Sequence, residues 1–159
     1  MDDLKSQLLD AWRVNNAIHL RLLDGIPAKG LRAVPAGSRG RNVAQQFVHL
    51  HKVRAGWLRY NGHQARLKRF PKGASPSRAQ LQAAFRASGK AVEQYLAQRL
   101  DGGSVRFFKR RPARWLAYMI AHESHHRGQI ALALKQAGLR LPEKVALGVL
   151  WYKWYFGEP

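Results

Sequence analysis

Hydrophobic residues recur at helical spacing over four long segments of the chain, and polar residues occupy the opposite faces. In the first segment, Trp12, Ile18 and Leu22 share one apolar face. Capping residues, Gly and Pro mark where each segment begins and ends. The predicted helices begin after Asp2 or Asp3, near Asn42, at residues 75–77 and at Pro112, and they end at Gly25, Tyr60, Asp101 and Gly138.

A loop through residues 70–73 connects the second and third helices, and three further segments lie outside the helices. Residues 29–41 are rich in Gly and Pro and are predicted to form a loop, and the basic residues 105–111 are predicted to form an extended connector. Residues 145–156 are strongly aromatic and predict a short fifth helix or an extended cover. Because strand patterns are almost absent, we predict an all-α four-helix bundle with a short aromatic C-terminal cap, in a single domain spanning residues 1–159.

Composition supports one compact domain and removes several classes of function. The chain has 159 residues, of which 46% are hydrophobic, so it can form a real core. It contains no cysteine, which excludes disulfides, thiolate ligands and a cysteine nucleophile. The N-terminus does not resemble a signal peptide, and the longest apolar stretch is shorter than the about 20 residues that cross a bilayer. We therefore expect a cytoplasmic protein with no membrane partner.

The charge of the chain is far from neutral. The formal net charge is +19, and residues 25–92 contain no acidic residue. Such a surface attracts polyanions, so a basic module that binds nucleic acid or another polyanion is an alternative function. A solvated basic surface with nonspecific polyanion binding is the simpler interpretation, because charge by itself reports on solubility rather than on function.

Two of the seven histidines share one helical face. His122 and His126 are separated by four residues, which places their Cβ atoms about 5–6 Å apart. Two imidazoles at this spacing can bind one zinc ion at about 2.0–2.1 Å. Both residues lie on the apolar face of the fourth helix, and bundles build metal sites from facing helices. We predict that they form a metal-binding pair rather than two core histidines.

A third ligand has two competing candidates in the sequence. His49 lies at the edge of the apolar face of the second helix, and His19 faces inward on the first helix. His51 lies on another side of the second helix, and His63 lies in a loop. Spacing leaves both candidates open, with His49 preferred.

Residues 122–126 also match H-E-x-x-H, the signature of zincin metalloproteases, in which Glu123 would be the general base. The metzincin continuation after His126 is absent. A downstream carboxylate ligand would have to be Glu143 or Glu158, and the chain has almost no strand pattern for an active-site sheet. A zinc metalloprotease is therefore the lesser alternative.

Several motifs along the chain occur together in one known family. They are Trp12 with Asn15-Asn16, residues 43–54 with Trp57-Leu58, residues 75–78, the segment AHESHHRGQI at residues 121–130, residues 132–138 and Leu150-Trp151. With these motifs the chain resembles the DinB family, within the DinB/YfiT-like superfamily of metal-dependent enzymes. Residues 121–130 are the most specific part of the resemblance.

The resemblance implies a four-helix bundle in which His49, His122 and His126 bind a divalent metal ion, with zinc and nickel as the leading candidates. Members of the superfamily include thiol-dependent transferases and isomerases that use a low-molecular-weight thiol. Three histidine ligands would leave a position of the ion open for water or a thiol, so we expect a hydrolase or a thiol-dependent transferase that acts on an unassigned small molecule. A homodimer is expected from the resemblance and from the aromatic tail.

Two further side chains are candidates for a catalytic role. Tyr118 lies one turn before His122 on the same face and could donate a proton, although core packing is the expected role. Glu123 points about 100° away from the ligand face and is expected to contact another helix instead of the metal. Polar residues of the first helix are further candidates to line the site: Asn15, Asn16 and His19.

Overall fold

Four long helices form the protein in the computed structural model, which describes residues 3–157. They are α1 (Leu4–Gly25), α2 (Val43–Tyr60), α3 (Arg78–Leu100) and α4 (Pro112–Gln136), followed by the short α5 (Tyr152–Phe156). Short 3₁₀ turns occupy Ala28–Arg32 and Phe108–Arg110, and a π-helical turn occupies Lys144–Val149. No strand occurs within residues 3–157. The predicted four-helix bundle is confirmed.

Local capping explains where the long helices begin. The Asp3 carboxylate accepts a hydrogen bond from the Ser6 amide at 2.7 Å, and Asn42 and Ser77 each form a reciprocal capping box with a glutamine three residues later. Pro112 lies in the first turn of α4, where its missing amide proton costs nothing. Asp2, the other predicted cap, lies outside the described residues. The helix starts are therefore determined by residues that sequence analysis can identify.

The end of α4 differs slightly from the prediction. The helix ends at Gln136, two residues before Gly138. Gly138 has a φ of 70°, a left-handed conformation that glycine adopts readily and that reverses the chain after the last helical turn.

Two apolar clusters form the core, and each of the four long helices contributes to both. One cluster includes Phe47 and Leu134, and the other includes Trp12 and Trp115. On each long helix, at least one buried polar side chain lies between the residues of one cluster and those of the other. These side chains are Asn15 and His19 on α1, Arg54 on α2, Ser88 on α3, and Glu123 with Arg127 on α4. We call this set the polar layer; it divides the bundle into two halves.

The predicted extended connector at residues 105–111 is wrong. Phe107, Phe108, Lys109 and Arg110 all have positive φ, between 47° and 61°, and the last three form a 3₁₀ turn. The Phe108 ring packs 5.0 Å from the Trp57 ring, measured between centroids, and thereby folds the connector back onto the bundle. This tertiary contact overrides the extended preference, at a cost of about 1–2 kcal/mol for each left-handed residue.

The C-terminal tail forms the π-helical turn and α5, so the short fifth helix is confirmed and the extended cover is wrong. Val145 packs against Gly25 at the end of α1, and Leu150 packs on the core. The aromatic side chains instead remain exposed: Trp151, Tyr152, Tyr155 and Phe156. A homodimer through these side chains stays a prediction. Within residues 3–157, no helix combines the length and the apolar character that a bilayer crossing requires.

Substitution of Gly89 is expected to test how tightly α3 packs on α1. The Gly89 carbonyl accepts a hydrogen bond from the Trp12 indole at 2.9 Å, and an added methyl group would overlap the side-chain amide of Asn16. Gly89→Ala should lower the free energy of unfolding by about 1–3 kcal/mol, as overpacked core sites do. Urea denaturation measures this loss.

Gly128→Ala is the matched control, because Gly128 lies exposed in α4 with open space around its missing side chain. This variant should gain about 0.5–1 kcal/mol of stability from helix propensity. Equal stability of the two variants would contradict the packing of α1 against α3.

Candidate metal centre

Three histidines from α2 and α4 meet at the surface of the bundle. His49 of α2 lies 5.4 Å from His122 and 4.7 Å from His126 of α4, measured between ring centroids, and the two α4 rings are 4.8 Å apart. One nitrogen from each ring can be chosen so that all three lie within 4.8 Å of one another. The structure thus brings together the three residues that the family resemblance implied.

The donor set fits a divalent metal ion. Two nitrogens bound to one ion at about 2.1 Å are at most about 4.2 Å apart, so small rotations of the imidazoles bring all three within bonding distance. Nδ1 of His122 is buried and has no hydrogen-bond partner within residues 3–157, as expected of an atom that another ligand satisfies. No Asp or Glu of the described residues joins the group. If all three histidines bound one ion, they would leave a coordination position open.

The imidazoles are neutral at pH 7, which is the form that binds metal. Burial, followed by the charges of the neighbouring His49 and His122, lowers the pKa of His126 to about 4. Burial also lowers the pKa of His122. The pKa of His49 is lowered by burial first and then by the positive charge of Arg41. Protons therefore compete little with a metal ion near neutral pH.

Gln46 orients one of these rings, and sequence reasoning missed it. Its side-chain oxygen lies 2.7 Å from Nδ1 of His126, so Nδ1 carries the proton and Nε2 is free for a metal ion. Gln46 is buried and lies three residues before His49, on the same face of α2. That spacing is the signal that could have revealed it.

His19, the competing third ligand, belongs to the polar layer and lies outside the three-histidine group. Its Nδ1 donates to the Asn15 carbonyl oxygen at 2.8 Å, and its Nε2 faces the Arg127 guanidinium at 3.3 Å. Burial lowers the pKa of His19 to about 3, so the ring is neutral. The expectation that polar residues of α1 line the site is likewise wrong for Asn15, whose side chain binds Glu123 and Arg127.

The remaining histidines lie outside the group as well. His51 is buried, and its Nε2 lies 2.8 Å from the Lys68 carbonyl oxygen. His63 packs on Tyr95, and His125 is exposed, with its ring 5.2 Å from that of His126 between centroids.

Glu123 contacts neighbouring helices, as its position on α4 predicts. Both carboxylate oxygens bind the Arg54 guanidinium, at 2.6 and 2.8 Å, and one also accepts from the Asn15 amide at 2.6 Å. Burial is the strongest single influence and would raise the pKa of Glu123. The charge and hydrogen bonds of Arg54, together with the hydrogen bond from Asn15, outweigh it and lower the pKa to about 2. A carboxylate engaged in this way cannot also serve as the general base that the zincin mechanism requires.

Tyr118 differs from the core residue that was expected. It is 36% exposed, and its ring stacks on His122 with a centroid distance of 5.8 Å. Its other neighbours are Trp57 and Phe108. Tyr118 therefore forms an aromatic wall at the solvent-facing edge of the centre.

A basic pocket of about 480 Å³ opens beside His49, which is one of its lining residues. We call it the cationic pocket. Its charged lining side chains are Arg39, Arg41, Lys52 and Lys72. None of its lining residues is acidic.

Comparison with protein families gives a match over most of the chain. A family model described as DinB family matches residues 1–155 of the 159-residue chain. The chain belongs to the DinB family. No curated protein and no solved structure gives a significant match. This DinB-family chain carries its three histidines on two helices that the polar layer joins.

The buried ion pair of this DinB-family chain is open to a direct test. Glu123→Gln removes the counter-charge of the fully buried Arg54 while preserving the shape of the side chain. An uncompensated buried charge costs about 3–5 kcal/mol, so the variant should unfold at much lower urea concentration than the parent.

Glu93→Gln provides the control, since Glu93 binds Arg13 at 2.7 Å on the surface. Exposed pairs contribute about 0–1 kcal/mol, so this variant should resemble the parent. A similar, small effect of both substitutions would disprove the structural importance assigned to the buried pair.

Proposed function

We propose that the protein is a divalent-metal-dependent enzyme whose ion is held by His49, His122 and His126. The observation that carries the proposal is the convergence of three neutral imidazoles, one with an unpartnered buried nitrogen, without a fourth protein ligand among residues 3–157. Structural zinc sites normally have four protein ligands, whereas catalytic sites keep one position open. Zinc and nickel are the ions we propose first, because both suit imidazole ligands.

The proposed chemistry is hydrolysis or transfer of a low-molecular-weight thiol. When bound, a divalent ion supplies Lewis acidity, which lowers the pKa of a coordinated water or thiol towards neutrality. Gln46 holds His126 in the tautomer that presents Nε2 to the ion. Tyr118 stacks on His122 and shields one side of the centre, where its hydroxyl is our candidate proton donor to a substrate.

A second candidate function is nonspecific binding of a polyanion. A larger groove of about 860 Å³ lies along α2 and shares Lys52 with the cationic pocket. Its other basic residues are Arg59, Arg66, Lys68 and Arg69. A polyanion would engage both depressions at once, whereas a small molecule would occupy one of them.

Metal content is the first test of the proposed centre. Untagged protein purified without added metal should contain close to one equivalent of ion by mass spectrometry, and His49→Ala and His126→Ala should each lose it. His125→Ala is the matched control, because His125 neighbours His126 on α4 but lies outside the three-histidine group. A folded parent that takes up neither zinc nor nickel would contradict the proposal, as would an equal loss of metal in His125→Ala.

Gln46→Leu should weaken metal binding without removing it. The substitution keeps the side-chain volume but deletes the acceptor for the His126 Nδ1 proton. Loss of such a supporting hydrogen bond typically lowers metal affinity about 10–100-fold. Competition with a chelator of known affinity measures the change. Gln98→Leu, at an exposed position of α3 outside the three-histidine group, is the control and should keep the affinity of the parent. An unchanged affinity in Gln46→Leu would show that this residue does not orient the ligand.

A further inference from the structure

We infer that the proposed centre acts on a small molecule carrying at least two negative charges, which the cationic pocket holds beside His49. The inference rests on the proposed metal-dependent function and adds the chemical class of its substrate. It follows from the shape of the pocket, from its uncompensated charge and from the residue that it shares with the metal centre.

The cationic pocket is a concave site built by three parts of the chain. Arg39 and Arg41 come from the segment before α2, Lys52 from α2 itself, and Lys72 from the segment before α3. Its volume of about 480 Å³ lies within the range typical of small-molecule sites. Positive side chains that surround a cavity can contact one ligand together, which cations dispersed over a convex face cannot do.

No carboxylate of the described residues compensates the positive charge of this pocket. Within residues 3–157, none of its four cations forms an ion pair with a carboxylate. Other exposed cations do find partners, since Lys5 binds Asp101 at 2.6 Å and Arg13 binds Glu93 at 2.7 Å. The pocket therefore carries a positive potential that favours an anion from solution.

The number and type of the cations indicate more than one negative charge. Two arginines supply planar donor pairs that match carboxylate or phosphate oxygens, and two lysines add compact charges. A single carboxylate can satisfy one such guanidinium, so a phosphate monoester or a dicarboxylate matches this set better. A neutral molecule in the pocket would form no ion pair with any of the four cations.

His49 connects the pocket to the metal centre. It lines the pocket and also belongs to the three-histidine group, so an anion bound in the pocket would lie beside a residue that would hold the ion. The larger groove beside Lys52 includes none of the three grouped histidines. This difference favours a small substrate in the cationic pocket over a polyanion that follows both depressions.

A matched pair of ligands tests the inference. The probes are isophthalate, a rigid dianion, and isophthalamide, its neutral counterpart of the same shape. Binding to the metal-loaded protein is measured by calorimetry at about 150 mM salt, where long-range surface electrostatics are screened. We expect isophthalate to bind at least tenfold more tightly than isophthalamide. Equal affinity for the two probes would overturn the inference.

Charge-matched variants locate the binding. Arg41→Gln combined with Lys72→Gln should weaken isophthalate binding at least tenfold while the metal content stays at the level of the parent. Arg86→Gln combined with Lys90→Gln removes the same charge from exposed positions of α3 away from the pocket and should leave binding within twofold. Equal loss in both double variants would show a general charge effect and overturn the inference.

Two further outcomes separate this inference from its competitors. Binding of an oligothymidine strand of about 20 nucleotides, with steep salt dependence and with no isophthalate binding, would indicate a polyanion surface and overturn the inference. A parent protein that holds metal but shows no charge-selective binding would reject the inference alone. A metal-free parent whose isophthalate binding depends on Arg41 and Lys72 would instead reject the metal-dependent function and support the anion pocket.

Discussion

The buried ion pair between Arg54 and Glu123 determines how the two helices that carry the three histidines meet. Both side chains are almost fully removed from solvent, and two hydrogen bonds of 2.6 and 2.8 Å join them. A buried charge without its partner is so costly that α2 and α4 are constrained to the register in which the pair forms. His122 directly precedes Glu123, and His49 lies five residues before Arg54. The same register therefore brings the histidines together.

The polar layer extends this constraint to the other two helices. Arg54 donates to Asn16 of α1 and Ser88 of α3, and its guanidinium lies 4.5 Å from the ring centroid of Phe85. Hydrophobic contacts are nondirectional and tolerate sliding, whereas charged hydrogen bonds require defined partners. A polar layer between two apolar clusters therefore favours a single register of the four helices relative to one another. The adjacent residues His122 and Glu123 have different roles. His122 faces the candidate metal site, and Glu123 holds α4 in place against α2.

Electrostatics at the candidate centre consistently favour negative ligands. The three imidazoles are neutral at pH 7 and add no negative charge, so a bound divalent ion would keep its full charge. Arg41 and Lys52 add positive charge beside His49, and both contribute to lowering its pKa. The positive charge of the chain, +19 in total, is thus also present beside the candidate site. This pattern distinguishes the site from structural centres, in which thiolate or carboxylate ligands neutralise the ion.

Features that depend on neighbours along the chain follow from the amino-acid sequence alone. Capping residues such as Asn42 and Ser77 identify the helix starts, and the spacing of His122 and His126 places both on one face, because a helix repeats every 3.6 residues. Tertiary structure decided what depends on contacts between helices: the assignment of His19 to the polar layer, the role of Gln46 and the folded-back connector at residues 107–110. Periodicity shows which side of a helix faces inward, but it does not show which residue of another helix lies opposite.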